Sequence, residues 1–418
     1  HHDWDLGDGV SLKTDVFYQK MRHLMANNLL RTATTAMTNR TKVEAGGISM
    51  ALAMPFNNGE LIVGVDGDQS NHQADSTMGS TTTNFYNKVE RDRYSLFTEW
   101  TGAVSEDVSV ELGARYTHTW SDAGNVDTTK TSGMMSRAAA KNAFNALERT
   151  KNYNLVDLVA ELQYKASSEL DVNIGLARKN RAPTYQELYI WYGDKGNAGF
   201  ADGKTYLGDL GLEAETAYQA DVSFEWHTAD AYIAPSAFYH YVQDYIMGAT
   251  SAKATGAGDY DADLQWSNTE AQFFGVELEA GYKFTDHLRA DAGLNYVRGM
   301  RMNALNGDDD LYRIAPLNGR TQLTYEASNW STSIEGVFVA DQGDVAGYNS
   351  EQSTKGYMQM NLRGQYEPCR GLVIATGIEN VLDEQRFNHL GGYQNHSVTA
   401  DRNYLPGRNL YATLGYTW

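Results

Sequence analysis

The chain has 418 residues with 34 Lys and Arg against 53 Asp and Glu, which gives a formal net charge of −19. This acidic balance argues against nucleic acid as a partner, and a single Cys excludes both an intrachain disulfide and a Cys-based metal cluster. No apolar run approaches the roughly 18 residues of a membrane helix, while 27 Tyr and 39 Gly favour one large β structure.

Alternation of apolar and polar residues dominates the chain. A period of two puts apolar side chains on one face and polar side chains on the other, which predicts strands. About 16 such segments occur, and most are long enough to cross a bilayer as tilted strands of roughly 9–11 residues. The clearest examples are residues 10–26, 108–117, 156–164, 220–226, 288–296 and 410–418.

The connections between these segments alternate in length. The short, polar ones are 57–59, 105–107, 167–169, 228–230, 285–287, 328–330 and 367–370. The long ones are 26–41, 76–90, 121–152, 192–210, 248–262, 303–319, 342–354 and 387–405, and residues 136–148 have the composition of a short helix. Tight turns at one end and large loops at the other are typical of a transmembrane antiparallel β-barrel, which we predict over residues 1–418 as one domain. A soluble all-β protein with one buried face is the alternative.

Several motifs resemble the carboxy-terminal half of TonB-dependent outer-membrane receptors. Residues 181–189 are similar to a strand-top motif of that family, 208–215 is a looser match to the segment that follows it, and 377–386 resembles its penultimate strand. The chain ends on an alternating strand with a final aromatic residue, as outer-membrane barrels do. The residues that carry the family motif are Arg181, Pro183, Glu187, Asn380, Asp383, Pro406, Gly407 and Arg408, and those of the terminal assembly signal are Leu414, Tyr416 and Trp418.

This resemblance implies a receptor with a barrel of about 22 strands and an amino-terminal plug. The chain is then expected to be the carboxy-terminal portion of the barrel, without the plug. The implied location is the bacterial outer membrane, and the implied partners are the TonB complex (through the missing amino-terminal region), lipid, lipopolysaccharide and the barrel-assembly machinery. No nucleophile elbow, P-loop or His-Glu-x-x-His pattern is present, so no enzymatic activity is predicted.

The first strand carries the feature that points most sharply to chemistry. Met21, His23 and Met25 continue the polar parity of this strand, so all three are predicted to face the lumen. Imidazole and thioether form a soft ligand pair that suits copper, above all Cu(I). Residues two apart lie on one face of a strand, so His23 and Met25 can reach the same ion. The alternative is a lumen-lining His and Met without a metal.

Residues 17–28 also resemble the OprC/NosA-type copper receptors, in which a His-x-Met pair looks across at a Cys and a Met of the plug. The resemblance implies copper as the transported ligand rather than a cofactor, with His23 and Met25 as its ligands. Met21 and His389 are additional candidates at the mouth, and Asp308 to Asp310 are predicted to be solvated. A receptor for a siderophore or another metal chelate and a passive porin remain as alternatives.

Overall fold

The computed structural model of the chain describes residues 1–30, 32, 35–126, 141–142, 144–190, 202, 204, 206–249, 264–304, 308–393 and 402–417. Within these ranges the fold is all-β, with a short α-helix, α1 (Tyr185–Tyr189). The strands are β1 (His2–Gly7), β2 (Val10–Ala26), β3 (Met37–Phe56), β4 (Gly59–Met78), β5 (Thr81–Ala103), β6 (Val108–Asp122), β7 (Lys151–Ser167), β8 (Leu170–Arg181), β9 (Tyr206–Leu207), β10 (Glu215–His227), β11 (Ala231–Ala249), β12 (Leu264–Thr285), β13 (Leu288–Arg301), β14 (Asn318–Glu326), β15 (Trp330–Val339), β16 (Tyr357–Cys369), β17 (Leu372–Glu379) and β18 (Asn409–Tyr416).

The chain divides into two compact units. Unit 1 comprises residues 1–161, 177–218 and 242–270, and unit 2 comprises 162–176, 219–241 and 271–418. In unit 1, β1 to β6 pair with their neighbours in sequence order and all in antiparallel fashion. The turn from β3 to β4 has positive φ at Asn57 (46°) and Asn58 (58°), the two-residue geometry that keeps the right-handed twist of a hairpin.

The ladder of unit 1 separates an apolar face from a polar face. On the apolar face, Val16 lies opposite Ile48, and Met50, Val65 and Leu96 form a row across three strands. The polar face carries ion pairs instead: Arg93 lies 2.6 Å from Asp68, and Arg115 lies 2.5 Å from Asp66. The period-two pattern of the sequence therefore sorts the side chains as predicted.

Unit 1 also has a compact apolar core near the ends of its strands. Tyr86 of β5, Tyr153 of β7 and Leu264 of β12 pack there with Leu188 and Tyr189 of α1. Fully burying a side chain such as Leu188 stabilises a fold by about 1.5–3 kcal/mol. The short parallel pairing of β9 with β12 adds to the same region, so the core fixes α1 and the segment after it on the strand ends.

Unit 2 contains an uninterrupted antiparallel ladder from the second part of β12 to β18. Its polar face is densely hydrogen-bonded. Glu335 accepts from Asn361 Nδ2 at 2.6 Å and from Arg363 Nη2 at 3.0 Å, and Asn361 Oδ1 accepts from the Asn380 N–H at 2.9 Å. The opposite face carries exposed apolar side chains such as Leu323 and Ile334.

The predicted strands and short turns are confirmed, with two differences in detail. Two further strands, β1 and the two-residue β9, accompany the 16 long ones among the described residues. The predicted long loop at 76–90 is wrong: β4 and β5 continue through it to a turn at Gly79 and Ser80. Polar Thr- and Asn-rich sequence looks like a loop, but the strands pair directly over this stretch. Of the predicted helix at 136–148, residues 141, 142, 144 and 145 are helical and residues 146–148 are not, while the other positions lie outside the described residues.

Among the described residues, no helix combines the length and the hydropathy that crossing a membrane requires.

Candidate functional site

Strand β2 presents Met21, His23 and Met25 on one side. They share their parity with Asp15, and their cross-strand partners on β3 are Val43, Thr41 and Asn39. Because directly opposite residues of an antiparallel pair lie on the same face, the three side chains belong to the polar face of unit 1. The structure therefore places the three residues on one face of β2, as the sequence predicts.

The surroundings of His23 are small and uncharged. His23 lies opposite Thr41 of β3, which lies opposite Ala74 of β4. The His23 side chain is exposed. Among the described residues, neither ring nitrogen of His23 has a hydrogen-bond or ion-pair partner. Met25 and Met21 are 43% and 41% exposed. An exposed imidazole and an exposed thioether two residues apart are both free to take a soft ion.

His72 of β4 lies on the same face, and the sequence did not single it out. It is opposite Val43, which is itself opposite Met21. Its ring is 5.3 Å from that of Tyr86 and 4.6 Å from that of Tyr185, between centroids, and both nitrogens are buried without a hydrogen-bond partner in the described structure. The alternation of residues along β4 could have predicted which face His72 lies on. Its alignment with Met21 depends on the register of two strand pairs, β2 with β3 and β3 with β4.

His389 lies in a buried cluster, not at an open mouth. Its Nε2 is 3.2 Å from Glu351 Oε1, its Nδ1 is 3.0 Å from Thr354 Oγ1, and only 1% of its side chain is exposed. Arg402 completes the cluster, with Nη2 3.5 Å from Glu351 Oε1. Glu351 also accepts from the Ala346 N–H at 3.1 Å. With Nδ1 bonded to Thr354 and Nε2 close to the Glu351 carboxylate, His389 connects loop segments in this structure.

Two of the three carboxylates of the acidic run at 308–310, those of Asp308 and Asp310, are paired rather than solvated, against our prediction. Asp310 lies 2.6 Å from Arg298 Nη2, and Asp308 accepts from the Gly347 N–H at 2.9 Å. Arg298 also contacts Asp344. Burial raises the pKa of Asp310, while the Arg298 guanidinium opposes that rise. Asp308 and Asp310 therefore hold their loop in place.

Arg181 organises the first family motif. Its Nε and Nη2 donate to the two oxygens of Glu215 at 2.7 and 2.6 Å, and its Nη1 donates to Glu187 Oε2 at 2.8 Å. Glu187 closes a capping box with Thr184 at the start of α1, and Pro183 is fully buried beside it. One guanidinium thus joins the end of β8, the helix and the start of β10, all in unit 1.

The second motif closes the connection between β17 and β18 in unit 2. Asn380 has φ of 50°, is fully buried, and exchanges two hydrogen bonds with the Glu384 main chain at 3.0 and 2.9 Å. Asp383 Oδ1 accepts from the Arg408 N–H at 2.8 Å and lies beside Gly407. The Pro406 carbonyl accepts from Arg386 Nη1 at 2.8 Å. These residues hold the loop, so the motif is structural.

The terminal strand β18 pairs with β17 in antiparallel fashion. Leu414 lies opposite Ile374, and Tyr416 lies opposite Leu372. Both side chains are exposed, at 72% and 60%. Trp418, the last residue of the predicted assembly signal, lies outside the described residues.

The part of the chain that the structure describes contains no group of three or more His, Cys, Asp and Glu side chains arranged to hold a metal ion. Its carboxylates instead pair with Arg, Lys or main-chain N–H groups wherever they cluster around 308, 335 and 351.

Comparison with known proteins gives one family and many structural neighbours. Residues 1–381 match the family model described as TonB dependent receptor-like, beta-barrel. Among solved structures, the copper transporter OprC superposes with a TM-score of 0.82 at 20% identity, over 99% of this chain and 64% of that chain. The chain therefore spans somewhat less than two thirds of the length of OprC.

Receptors for ferric chelates are also similar in fold. The ferric yersiniabactin uptake receptor FyuA from Yersinia pestis superposes with a TM-score of 0.65 at 13% identity, covering 99% of this chain and 60% of that chain. The ferric citrate transporter FecA gives a TM-score of 0.71 at 14% identity, covering 99% and 60%. No curated protein sequence matches the chain significantly.

Proposed function

Since the chain belongs to the TonB-dependent receptor family of β-barrels, we propose that it acts in the bacterial outer membrane as a receptor that takes up copper with energy supplied through TonB. His23 and Met25 would bind the ion on the polar face of β2. The single observation that carries the copper assignment is this unpartnered imidazole–thioether pair on one strand face.

The apolar face of unit 1 supports the membrane location. Val16 is 69% exposed, Leu96 is 56% exposed and Val65 is 49% exposed, although all three lie in the middle of long strands. Contiguous apolar surface of this kind marks a partner or a membrane. A bilayer accepts strands whose apolar face is outward and whose main-chain groups are paired, as they are in this ladder.

The donors on β2 support a soft ion. Neutral imidazole and thioether select Cu(I) over hard cations such as Mg²⁺ or Ca²⁺, which take carboxylate and carbonyl oxygens. In the row of His23, Thr41 and Ala74 bring no carboxylate that would hold the imidazole by an ion pair. The similarity in fold to the copper transporter OprC agrees with this choice.

The net charge of −19 gives the approach of a cation an electrostatic advantage. The chain's own part in uptake would then be to attract the ion, to bind it through His23 Nε2 or Nδ1 and Met25 Sδ, and to release it inward. Two donors alone hold copper weakly, so further donors would complete the coordination.

The test is copper stoichiometry in the receptor as its gene encodes it, purified from outer membranes. We expect His23→Ala with Met25→Ala to lose the stoichiometric copper. The matched control is His118→Ala with Met50→Ala, which removes the same residue types from the same unit on the apolar face. Undiminished copper in the first variant would refute the site.

The same material also tests the alternative of a ferric-chelate receptor, which the similarity to FyuA and FecA favours. Saturable binding of a ferric siderophore that is unaffected by His23→Ala with Met25→Ala would support that alternative. Copper-dependent quenching of protein fluorescence that disappears in this variant, without any siderophore binding, would support the copper receptor.

A further inference from the structure

The apolar face of unit 1 becomes polar toward the carboxy-terminal end of β2. Val16 lies opposite Ile48 in an apolar row, and Tyr18, two residues further along β2, is 71% exposed on the same face. Lys20 follows Tyr18 on this face and forms an ion pair with Glu44 of β3. Aromatic residues between apolar and charged ones are typical of the level where the hydrocarbon of a membrane meets its polar headgroups.

A hollow of about 460 Å³ opens on this face beside Tyr18. Its floor is Gly46, which lies opposite Tyr18 on one side and opposite Gln69 on the other. The hollow exists because Gly46 has no side chain: a β-carbon there would lie 3.8 Å from the Tyr18 ring. Its volume is within the roughly 300–1,000 Å³ of small-molecule sites. The polar side chains around it are those of Glu44, Gln69, Asn71, Glu90 and Asp92.

The Gly46 hollow places an exposed tyrosine ring beside amide and carboxylate groups. Gln69 Nε2 donates to the Tyr94 hydroxyl oxygen at 2.9 Å and to Asp92 Oδ2 at 3.2 Å, which fixes the amide. Asn71 and Glu90 lie opposite each other, and neither has a hydrogen-bond or ion-pair partner in the described part of the chain. A ring face accepts the C–H face of a sugar, while amides and carboxylates bond its hydroxyls. These groups therefore have the chemistry of a saccharide site.

Two cationic side chains lie beyond the hollow on the same face. Arg22 of β2 is directly opposite Lys42 of β3, about 7 Å along the strand from Lys20. Both side chains are exposed, and neither has an ion-pair partner among the described residues. Like charges directly opposite each other on a strand pair are destabilising, so a bound anion would relieve their repulsion. Phosphate suits both, since Arg binds it through two parallel N–H groups and Lys as a point charge.

We propose that this face binds a phosphorylated glycolipid, with its sugar in the Gly46 hollow, a phosphate on Arg22 and Lys42, and its acyl chains along the rows of Val16 and Ile48. Apolar, saccharide-binding and cationic groups follow one another along the strands in the order in which such a lipid carries their counterparts. The apolar rows select the lipid over a free sugar phosphate, because only acyl chains cover them. The proposal rests on the membrane location proposed above, but not on copper, since the soft donors of β2 lie on the opposite face.

The experiment measures lipid binding to the receptor as its gene encodes it, purified from outer membranes into lipid-free detergent. Native mass spectrometry gives the dissociation constants of three probes. Lipid A with two phosphates is the glycolipid, phosphatidylglycerol has the charge without the sugar, and glucosamine 1-phosphate has sugar and phosphate without acyl chains.

Four forms of the receptor are compared: the unmodified receptor, Arg22→Gln with Lys42→Gln, Gly46→Leu, and a control with Lys13→Gln and Arg93→Gln. The control removes the same residue types from the polar face of unit 1, where both side chains are exposed. A β-carbon at Gly46 lies no nearer than 3.4 Å to its surroundings, so Leu fills the hollow without displacing the main chain.

We expect Arg22→Gln with Lys42→Gln to weaken lipid A binding about tenfold or more, which is the effect of losing one contact to a charged group. Gly46→Leu should weaken lipid A binding and leave phosphatidylglycerol binding unchanged, because it blocks the sugar and keeps the charge. The control should bind lipid A as the unmodified receptor does. Unchanged lipid A affinity in both variants would overturn the site.

The other probes test the identity of the ligand. Phosphatidylglycerol binding as tight as lipid A binding would overturn the saccharide assignment, and glucosamine 1-phosphate binding as tight as lipid A binding would overturn the lipid assignment. Copper stoichiometry and membrane fractionation separate this result from the proposed function. Lipid A binding by a receptor without copper would keep the site and reject copper uptake, whereas an outer-membrane receptor that does not bind lipid A would refute the site alone.

Discussion

Two histidines, one near the end of a strand and one in a long connection, have opposite surroundings in this molecule. His23 of unit 1 is exposed, faces Thr41 and Ala74, and has no protein partner among the described residues. His389 of unit 2 is buried between Glu351 and Thr354, with Arg402 on the same carboxylate. The comparison indicates that a histidine is available to a metal when no carboxylate of the protein lies beside its ring. Its position in a predicted loop or strand end does not decide this.

The contrast extends beyond the two histidines. In the cluster of Glu351, His389 and Arg402 the carboxylate faces a guanidinium and an imidazole, and Glu335 faces Arg363 in the same way on the polar face of unit 2. Met21, His23 and Met25 of β2 instead carry thioethers and an imidazole that have no hydrogen-bond or ion-pair partner among the described residues.

The largest effect is expected at Glu351, the centre of the paired cluster. Removing one partner of a buried ion pair leaves the other charge without compensation, which destabilises by about 3–5 kcal/mol. Glu351→Ala should therefore lower the local free energy of opening at the Ala346 and Arg313 amides by about this amount, as measured by hydrogen exchange. Unchanged protection there would show that the cluster is not what holds these loops.

Substitution of Arg181 tests whether the ion pairs of unit 1 are independent of the soft donors Met21, His23 and Met25 on β2. Lys cannot reproduce the forked contacts to Glu187 and Glu215, and lost hydrogen bonds to charged groups cost about 1.5–3 kcal/mol. We expect Arg181→Lys to increase proteolysis within residues 182–214 while copper binding stays at the unmodified level. A parallel loss of copper would mean that the two regions are coupled.

The substitution His389→Gln tests whether His389, in contrast to His23, is dispensable for copper binding. Gln retains hydrogen bonding to Thr354 but weakens the contact with Glu351, and we expect a local destabilisation of about 1 kcal/mol. Copper stoichiometry should be unaffected, in contrast to substitution of His23. Isothermal titration with copper and hydrogen exchange on the same preparation measure both quantities. Reduced copper would return His389 to the list of metal ligands.

The smallest effect concerns acidification of one exposed contact in unit 2. The Gly356 N–H, at 2.6 Å, and then the Lys355 ammonium, at 3.0 Å, lower the pKa of Asp341 below its ordinary value. A lowered folded-state pKa contributes stability that is present above the unfolded value of about 3.9 and is lost as the pH falls through the folded value. The protection factor of the Gly356 amide, which is corrected for the pH dependence of intrinsic exchange, should therefore fall below about pH 4, and Asp341→Asn should remove this dependence. Its persistence in the variant would assign it to another group.

Residue parity carried most of the successful sequence predictions. Alternation located the 16 long strands, and it placed Met21, His23 and Met25 on one face because side chains alternate along any strand. Composition failed at 76–90, where polar residues form a paired hairpin instead of a loop. It also failed at Asp310 and Asp308, whose carboxylates contact Arg298 and the Gly347 amide respectively.

The all-β fold, its two faces, the family motifs and the soft donors of β2 could be predicted from the residues alone, because each depends on residue type and on spacing along one strand. The pairing of Met37 with Met78, the common level of His72 and Met21, and the burial of His389 beside Glu351 are visible only in the folded chain. These facts depend on strand register and loop packing. A shift of register by one residue would move every side chain of a strand to the other face, and single-strand periodicity contains no information about that shift.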